Sequence, residues 1–481
     1  MALMSIVFVP FYIKYLGIEA WGVIGIFTTL QAVMVIFDMG WSAAITRQLS
    51  ILSTTEGRAN EMRNLLRSME IIYSIIAILI FILIFSISHF IAYNWVNTTF
   101  FSKEVIENSL ILIGFAIALQ WPTSLYAGGM IGLQKQYDLN FINVFISTLR
   151  GFGALLILKF YSPSINAFFI WQIVIGGFST ILLRFFLWRN MPTSKEKTRF
   201  RITPIKDIWK FAAGMSGISI LALCLTQVDK LILSKVLELE KFGYYTFSSL
   251  IAMSITRLFT PVFYSIYPKM TQLVSKSDEI NLIKFYHKSS QLMSILVIPI
   301  SLFIAFFSYD IIILWTGNEI TAKNTHSIVS ILICGTAING LMNVPYALQL
   351  AYGWTKLNFF TNFVALIVIC PLTYYLTLYY GLSGAALSWF FLNIGYFLIL
   401  IPLMHVKILR DEKLKWYLND VIFPGVTCFL ILFLGKQILS LNYFYNFRLI
   451  LIALLGFIAF ISTLFILPTM RNMLFLIFKN R

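Results

Sequence analysis

The sequence predicts an all-α, polytopic membrane protein with about fourteen transmembrane helices. Of its 481 residues, 59% are hydrophobic and only 12% are charged, whereas a soluble domain has roughly 45–50% and about 25%. Backbone groups inside a bilayer must find hydrogen-bond partners within the chain, which leaves helices and closed barrels as spanning structures. The apolar runs are much longer than the roughly 10-residue strands of a barrel, so the pattern favours helices.

Fourteen apolar windows account for this count. They lie near residues 1–13, 20–42, 70–92, 109–130, 139–158, 165–187, 211–234, 243–266, 290–314, 327–350, 357–379, 382–404, 418–438 and 446–468. The first window gives only about 20 Å of helix before Lys14, against a hydrocarbon core of about 30 Å. We therefore expect a truncated or misassigned start, with the native start upstream of Met1.

The basic residues predict the topology of these spans. With both termini cytoplasmic, the cytoplasmic segments hold 24 of the 36 Lys and Arg residues, and the opposite side holds eight. Cytoplasmic loops of membrane proteins are enriched in Lys and Arg, which favours this orientation. The same bias accounts for the net charge of +16 without a nucleic-acid partner. The four cysteines lie in apolar stretches and predict neither a disulfide nor a metal site.

Two pairs of segments indicate an internal duplication. Lys14–Gly22 aligns with Lys235–Gly243, with an offset of 221 between the paired sequence numbers. At an offset of 218, the residues Ala167, Trp171 and Gly177 match Ala385, Trp389 and Gly395. Six spans return the chain to the same side, so both halves have one orientation. This parallel-repeat plan predicts a binding site near the midplane, at the interface between the halves.

The duplication also predicts the domain organisation. We expect an N-terminal six-helix bundle over residues 1–188 and a basic cytoplasmic linker over residues 189–210. A C-terminal six-helix bundle follows over residues 211–410, and helices 13 and 14 lie within residues 411–481. The linker is the longest basic connection in the chain and separates span 6 from span 7, which is where a joint between two repeats belongs.

Two arginines lie near the middle of predicted spans. Arg150 is about twelve residues into span 5, and Arg257 is about fourteen residues into span 8, where an ionisable group marks a functional site by default. A guanidinium stays protonated in proteins, and neither arginine has an acidic residue three or four positions away. We predict a wet, cationic cavity that binds an anionic group. The alternative is that each arginine pairs with a distant carboxylate or with helix ends.

Other charged residues near the span ends have two interpretations each. Asp229 and Lys230 lie near the outer end of span 7, where they are candidates for substrate contact, a gate or ion coupling, or else a helix–helix pair. Asp38 closes span 2 together with Arg47, nine residues later, and is a further candidate for a gate or ion coupling. Arg47 is a candidate for guiding a lipid headgroup, or else a cytoplasmic anchor. Arg184 is expected to reach the interface from the end of span 6.

Enzyme signatures are missing from the sequence. It has no Gly-x-x-x-x-Gly-Lys-Ser/Thr loop for ATP, no His-x-x-Glu-His helix and no nucleophile elbow. The longest outward connection, near residues 93–108, is too short to hold a catalytic domain. The sequence therefore predicts that the protein is not an enzyme and needs no cofactor.

Several segments resemble polysaccharide repeat-unit flippases of the O-antigen and capsule type, within the multidrug/oligosaccharidyl-lipid/polysaccharide exporter superfamily. These segments are Tyr15-Leu-Gly-Ile-Glu-Ala-Trp-Gly22, Phe37-Asp-Met-Gly40, Gly132-Leu-Gln-Lys-Gln-Tyr-Asp-Leu-Asn140, Leu149-Arg-Gly-Phe-Gly153, Gln227-Val-Asp-Lys-Leu-Ile-Leu233, Trp315-Thr-Gly-Asn318 and Asn343-Val-Pro-Tyr-Ala-Leu-Gln-Leu-Ala-Tyr-Gly-Trp-Thr-Lys356. They occur in family order over most of the chain. The short first helix departs from the family pattern.

The resemblance implies two six-helix bundles in a V, with two extra helices that form a groove for a lipid tail. It implies transport of an undecaprenyl-pyrophosphate-linked oligosaccharide from the inner to the outer leaflet of a bacterial inner membrane. By the same resemblance, Arg257 and Arg47 match cationic cavity residues of related lipid flippases. An H⁺ or Na⁺ gradient is an open choice of driving force. A polysaccharide polymerase and a chain-length regulator are the implied protein partners.

Two other functions remain as alternatives. A multidrug or cation antiporter on the same fold would need acidic residues at mid-span, where this chain has arginines, although Asp229 leaves that alternative open. A membrane polysaccharide polymerase or ligase would need a large outward loop with catalytic groups. The identity of the oligosaccharide does not follow from the sequence.

Overall fold

A computed structural model describes residues 4–38, 40–54, 57–194, 196–200, 203–439 and 447–472. In these ranges every regular element is a helix, and no β-strand forms apart from an isolated bridge between Asn97 and Glu238. The predicted all-α class is confirmed. Contacts between Cα atoms divide the chain into two units, Met1–Gly243 and Tyr244–Arg481. The predicted boundaries at residues 188, 210 and 410 stay a prediction.

The first unit contains helices α1 to α10. They are α1 (Met4–Val7), α2 (Val9–Leu16), α3 (Ile18–Met34), α4 (Trp41–Ser53), α5 (Ala59–Phe90), α6 (Lys103–Gln120), α7 (Thr123–Gly132), α8 (Gln136–Phe160), α9 (Ile165–Asn190) and α10 (Thr203–Val236). A 3₁₀ turn at Val35–Asp38 follows α3, and a π-helical turn at Ile91–Trp95 follows α5.

Helix α11 (Leu239–Ser254) crosses the boundary between the units, and the second unit continues to the C-terminal segment. Its helices are α12 (Thr256–Ser275), α13 (Glu279–Thr316), α14 (Glu319–Leu341), α15 (Asn343–Ala351), α16 (Thr355–Gly395), α17 (Ile401–Lys407), α18 (Lys413–Lys415), α19 (Phe423–Leu439) and α20 (Arg448–Ile466). Irregular helical turns at Tyr396–Leu400, Arg410–Glu412 and Trp416–Ile422 join the elements after α16.

The order of long and short helices repeats along the chain. Helix α5 begins at Ala59, and its counterpart α13 begins at Glu279. Helices α7 and α15 begin at Thr123 and Asn343, and the two pairs of starting positions have the same separation in the sequence. That separation is within one or two positions of the offset between the duplicated motifs. The duplication therefore extends from short sequence motifs to the helix boundaries of both halves.

Helix breaks interrupt predicted spans 2, 4, 8 and 10. In the duplication, span 2 corresponds to span 8, and span 4 corresponds to span 10. The break in span 2 lies at Gly40, whose φ of 75° is a left-handed conformation that glycine adopts at little cost. Pro122 lies between α6 and α7, where its missing N–H interrupts the helical ladder. In the second half, breaks at Ile255 and Met342 separate α11 from α12 and α14 from α15.

One face of α5 exposes a continuous stripe of large apolar side chains. Its outward stripe recurs every three or four residues and is between 41% and 59% exposed: Ile75, Ile78, Leu79, Ile82 and Leu83. A soluble protein rarely exposes a continuous apolar patch of this size. A helix with this face packs against lipid, as the hydropathy of the sequence predicts.

Eleven helical segments in the described ranges are long and apolar enough to cross a membrane. One of them, Thr355–Lys407, covers predicted spans 11 and 12 and is kinked at Gly381, whose φ is +59°. The short α2 and the long α10 are not among the eleven. The polytopic class is confirmed, and the count of fourteen stays a prediction.

Candidate functional site

Arg150 lies in α8, where neighbouring helices hold its backbone from two sides. The Tyr12 hydroxyl of α2 donates a hydrogen bond to the carbonyl oxygen of Gly151 at 3.0 Å. The Trp171 Nε1–H of α9 donates to the carbonyl oxygen of Arg150 itself, also at 3.0 Å. Each bond takes up a second lone pair of a helical carbonyl, so the position of Arg150 is fixed by tertiary contacts.

Two glycines allow this close approach. A Cβ on Gly151 would overlap the ring of Phe8, and a Cβ on Gly153 would overlap the indole of Trp171. Both neighbours are aromatic rings in contact with the helix, so an added Cβ would have to displace a ring. The Leu149-Arg-Gly-Phe-Gly153 segment therefore combines one cation with two packing positions where α8 meets other helices.

The guanidinium of Arg150 is partly buried among the helices of the first unit. Its Nε is buried and has no hydrogen-bond partner in the described part of the chain. No carboxylate oxygen of those residues lies within 4.0 Å of it, since the arginine ion pairs found there belong to other arginines. A buried donor without a partner costs roughly 1–3 kcal/mol. An anion at this position would remove that cost.

Asp38 accepts hydrogen bonds from three helices of the first unit. The Tyr73 hydroxyl of α5 donates to Oδ1 at 2.6 Å, and the Ser124 hydroxyl of α7 donates to the same oxygen at 3.3 Å. The Ser42 hydroxyl of α4 donates to Oδ2 at 2.7 Å. We call these four residues the Asp38 cluster. All its donors are neutral, so in the described residues the carboxylate charge is not offset by an ion pair.

The partners of Asp38 were not found from the sequence. Tyr73 and Ser124 are distant in sequence and lie in unremarkable apolar stretches. Ser42 alone carries a signal, since it lies only four residues after Asp38 in the sequence. The Ser42 backbone N–H also donates to Oδ2, at 3.4 Å, and a role of Asp38 in ion coupling or as a gate stays a prediction.

Arg47 lies on the exposed side of α4, beyond the break at Gly40. The break separates it from Asp38, so the two residues do not end one continuous helix as the sequence suggested. The preceding residue Thr46 donates from its hydroxyl to the Gly128 carbonyl oxygen at 2.8 Å, which joins α4 to α7. A role of Arg47 toward a lipid headgroup stays a prediction.

The other predicted site residues lie elsewhere in the chain. Lys230 of α10 has its Nζ 3.9 Å from Asp229 Oδ1 and also donates to the Thr226 carbonyl oxygen at 3.2 Å. Arg257 lies in the first turn of α12, just after the break at Ile255, and its side chain is exposed. Arg150 belongs to the first unit and Arg257 to the second. A shared cavity for both arginines, and a gate at Asp229, stay predictions.

Arg184 forms an ion pair that the sequence analysis did not predict. Its Nε donates to Glu70 Oε1 at 2.8 Å, and the expectation that its side chain reaches the membrane interface stays a prediction. Glu70 is 6% exposed and also accepts from Trp188 Nε1 at 2.8 Å and from Arg67 at 3.1 Å. The buried acid holds α5 and α9 together. No local pattern indicated this pairing, because Glu70 and Arg184 are 114 residues apart.

The second unit contains a buried ionic cluster that the sequence did not reveal. His287 of α13 has Nδ1 2.5 Å from Asp420 Oδ2 and Nε2 2.9 Å from Glu412 Oε2. We assign a doubly protonated, positively charged imidazole to His287, because that form donates a hydrogen bond to both carboxylates at once. Lys415 Nζ donates to Glu412 Oε1 at 2.9 Å, which balances the two acids with two cations. The cluster fixes α13 to the segment before α19.

The chain matches a known protein family over more than half of its length. A family model described as "Polysaccharide biosynthesis protein" matches residues 14–324, more than half of the sequence. The chain belongs to this polysaccharide biosynthesis family. The matched range includes the Asp38 cluster, Arg150 and Arg257. The resemblance stated on the sequence motifs is confirmed at the family level.

Among the relatives of this family member is a protein of Shigella flexneri named "Putative O-antigen transporter". It is 22% identical over 387 residues, which cover 80% of this chain and 90% of the relative. The shared region therefore extends well beyond the short motifs that carried the resemblance and includes most of both proteins.

Solved structures show the same fold. The inward closed conformation of the lipid II flippase MurJ gives a TM-score of 0.69 at 17% identity, with 98% of this chain and 100% of the other covered. An inward-facing multidrug resistance MATE transporter of the MOP superfamily gives 0.67 at 13% identity, with 85% and 96% covered. The polysaccharide biosynthesis family member thus has the MurJ- and MATE-like fold that the sequence motifs implied.

Proposed function

We propose that the protein is a flippase for lipid-linked oligosaccharides. Its substrate is an undecaprenyl-pyrophosphate-linked repeat unit, which it moves by alternating access from the inner to the outer leaflet of the bacterial inner membrane. The product supplies O-antigen or capsular polysaccharide assembly, with a polymerase and a chain-length regulator as downstream partners. Membership of the polysaccharide biosynthesis family and the name of the Shigella flexneri relative support this function.

One observation carries the proposal: the buried Nε of Arg150 has no hydrogen-bond partner in the described residues. A pyrophosphate cannot cross hydrocarbon without compensation of its charge, and a guanidinium binds phosphate oxygens in a bidentate geometry. A permanently charged group that is not neutralised by a nearby acid suits an anionic headgroup. It does not suit a cationic drug, which would be repelled at the same place.

The Asp38 cluster supports coupling of transport to an ion gradient. Its carboxylate is surrounded by hydroxyl donors from Tyr73, Ser42 and Ser124 and forms no ion pair in the part of the chain that the structure describes. Protonation or binding of Na⁺ would change the hydrogen bonds that join three helices. That is a physical route from ion binding to helix movement.

The deciding experiment measures headgroup translocation in proteoliposomes. We expect Arg150→Ala to lower the initial rate by about 10–100-fold, because hydrogen bonds to charged groups contribute roughly 1.5–3 kcal/mol. Arg150→Lys keeps the charge and should retain part of the rate. Arg58→Ala is the matched control, since Arg58 is exposed and its contact with Glu61 is 3.8 Å long. A fully active, normally folded Arg150→Ala protein would exclude the proposed headgroup site.

A cation antiporter is the second candidate, and the Asp38 cluster is the observation that favours it. The two functions differ in the response to substrate charge. Replacement of Arg150 by Ala should impair a flippase, but it should leave transport of a cationic dye unchanged or improve it. Efflux of such a dye by the unmodified protein, with no lipid translocation, would favour the antiporter.

A further inference from the structure

A pocket between the end of α12 and the start of α13 gathers four lysines. It encloses about 410 Å³ and is lined by Lys269, Lys276, Lys284 and Lys288, together with Gln272 and Asn281. We call it the lysine groove. The sequence assigned these lysines only to a cytoplasmic loop with the usual basic bias. Their convergence on one groove is a property of the folded chain.

The helical repeat explains the convergence. Lys269, Gln272 and Lys276 follow one another at intervals of three and four residues, which places them on one side of α12 and its C-terminal cap. Across the turn, Asn281, Lys284 and Lys288 have the same spacing on α13. The turn itself contains Ser277 with a φ of 53°, which lets the chain reverse within a few residues. Two helix faces that carry lysines therefore line one groove, together with the side chains of Leu273 and Phe285.

The charge of the groove is strongly unbalanced. None of its four lysines has a carboxylate oxygen within 4.0 Å among the described residues, since the lysine ion pairs found there involve other lysines. One acid lies in the groove, Asp278, which caps α13 by accepting from the Asn281 N–H at 3.2 Å and from Asn281 Nδ2 at 2.8 Å. These bonds, the side-chain amide first, lower the pKa of Asp278. The acid stays ionised, and the groove keeps a net charge of about +3.

We propose that the lysine groove is a docking site for the phosphate groups of a lipid headgroup at the cytoplasmic membrane surface. Lysine ammonium groups bind phosphate as point charges, and each basic residue near a membrane surface strengthens binding to an anionic headgroup. The amide groups of Gln272 and Asn281 add neutral donors at the same place. A diphosphate offers enough acceptor oxygens for several of these groups at once.

The inference rests on the proposed function, which makes a diphosphate-bearing lipid the cargo. The groove would hold that headgroup at the inner leaflet before it reaches Arg150. Docking and translocation are separate steps, so they are measured separately. Substitutions in the groove should weaken capture of the lipid at low concentration, whereas substitution of Arg150 should slow transport after capture.

The test measures retention of undecaprenyl pyrophosphate by the full chain in phosphatidylcholine nanodiscs at about 0.15 M salt, where charges more than about 8 Å apart are largely screened. We expect Lys284→Gln together with Lys288→Gln to weaken binding by about 25-fold, since each lysine contributes a factor of about five. The matched control is Lys135→Gln together with Lys356→Gln. Both control lysines are exposed, lie outside the groove and belong to other predicted cytoplasmic loops. The control should change binding by less than about twofold.

Asp278→Asn gives an opposite and more specific expectation. Asparagine is as good a helix N-cap as aspartate, so α13 should be preserved while a repelling charge is removed. Binding of the lipid should become about fivefold stronger. A role of the lysines in membrane topology alone predicts no such gain. Lys284→Arg together with Lys288→Arg should restore binding, because the charge is restored.

Two further probes identify the source of the phosphate. Inorganic pyrophosphate should compete for the groove weakly, since it lacks the lipid chain that keeps the headgroup at the surface. Phosphatidylglycerol should bind less strongly than undecaprenyl pyrophosphate, because it has a single phosphate charge. Equal binding of both lipids, or equal losses in the groove and control variants, would overturn the proposal. Normal lipid binding without any translocation would contradict the proposed function and leave the groove intact.

Discussion

Gly22 and Gly243 form a reciprocal contact between the two copies of the duplicated sequence motif. A Cβ on Gly22 would lie 2.5 Å from the carbonyl oxygen of Leu239, and a Cβ on Gly243 would overlap the carbonyl oxygen of Ile18. The two glycines occupy equivalent positions in the aligned motifs, and so do Ile18 and Leu239. The residues that align in the sequence therefore pack against each other across the starts of α3 and α11.

This contact predicts that a methyl group added at either glycine lowers the stability of the protein. Gly22→Ala and Gly243→Ala should each lower the stability by about 1–3 kcal/mol, because the added Cβ meets backbone atoms that cannot rotate away. Thermal unfolding of the purified protein in detergent measures the effect. Gly425→Ala is the matched control, since a Cβ there meets no atom within 4 Å. A loss of stability in the control as large as in Gly22→Ala would contradict the packing argument.

The packing around Arg150 predicts a separate effect on transport. Gly151→Ala places a methyl group into the ring of Phe8 and should displace α8 from α2. We expect the translocation rate to fall even though every charge is kept, because the adjacent guanidinium moves. The double variant Gly151→Ala with Phe8→Ala should recover part of the rate by removing the clash. If both variants have equal rates, Phe8 does not transmit the change to Arg150.

The Asp38 cluster predicts which substitutions disconnect transport from an ion gradient. Asp38→Asn keeps an acceptor for the Tyr73 hydroxyl but removes the charge. We expect the protein to fold normally and its transport rate to stop responding to an imposed H⁺ or Na⁺ gradient. Tyr73→Phe should weaken the response without abolishing it. Glu61→Gln, at an exposed acid of the same unit, is the control and should leave the response unchanged.

The ionic cluster of the second unit predicts a large loss of stability. His287→Ala leaves Asp420, which is 0% exposed, without its cationic partner. Removal of one member of a buried ion pair costs roughly 3–5 kcal/mol. The double variant His287→Leu with Asp420→Leu should lose less than the single variant, because no charge remains buried alone. The unfolding temperature in detergent distinguishes the two.

An exposed ion pair of the same unit provides the control for that experiment. Lys323 Nζ lies 2.7 Å from Glu319 Oε1 in the first turn of α14, and both side chains are more than half exposed. Lys323→Ala should leave the unfolding temperature unchanged, because solvent replaces the lost contact. An equal decrease for Lys323→Ala and His287→Ala would show that burial does not set the effect.

The sequence by itself determined the class of the protein, because hydropathy is a local property. Each long apolar run must satisfy its own backbone hydrogen bonds in lipid, so the all-α polytopic class follows without tertiary contacts. The duplication was also readable, since it repeats at a nearly fixed offset. The mid-span position of Arg150 was visible for the same reason as the spans: a charged residue stands out within a run of apolar ones.

Only the tertiary structure decided which polar groups have partners. Asp38 meets Ser124 across 86 residues, and His287 meets Asp420 across 133 residues. No short-range pattern encodes such pairs, because hydrogen bonds and ion pairs depend on which helix faces meet. The four lysines of the groove are an intermediate case. Their spacing was present in the sequence, but their convergence required the turn between α12 and α13.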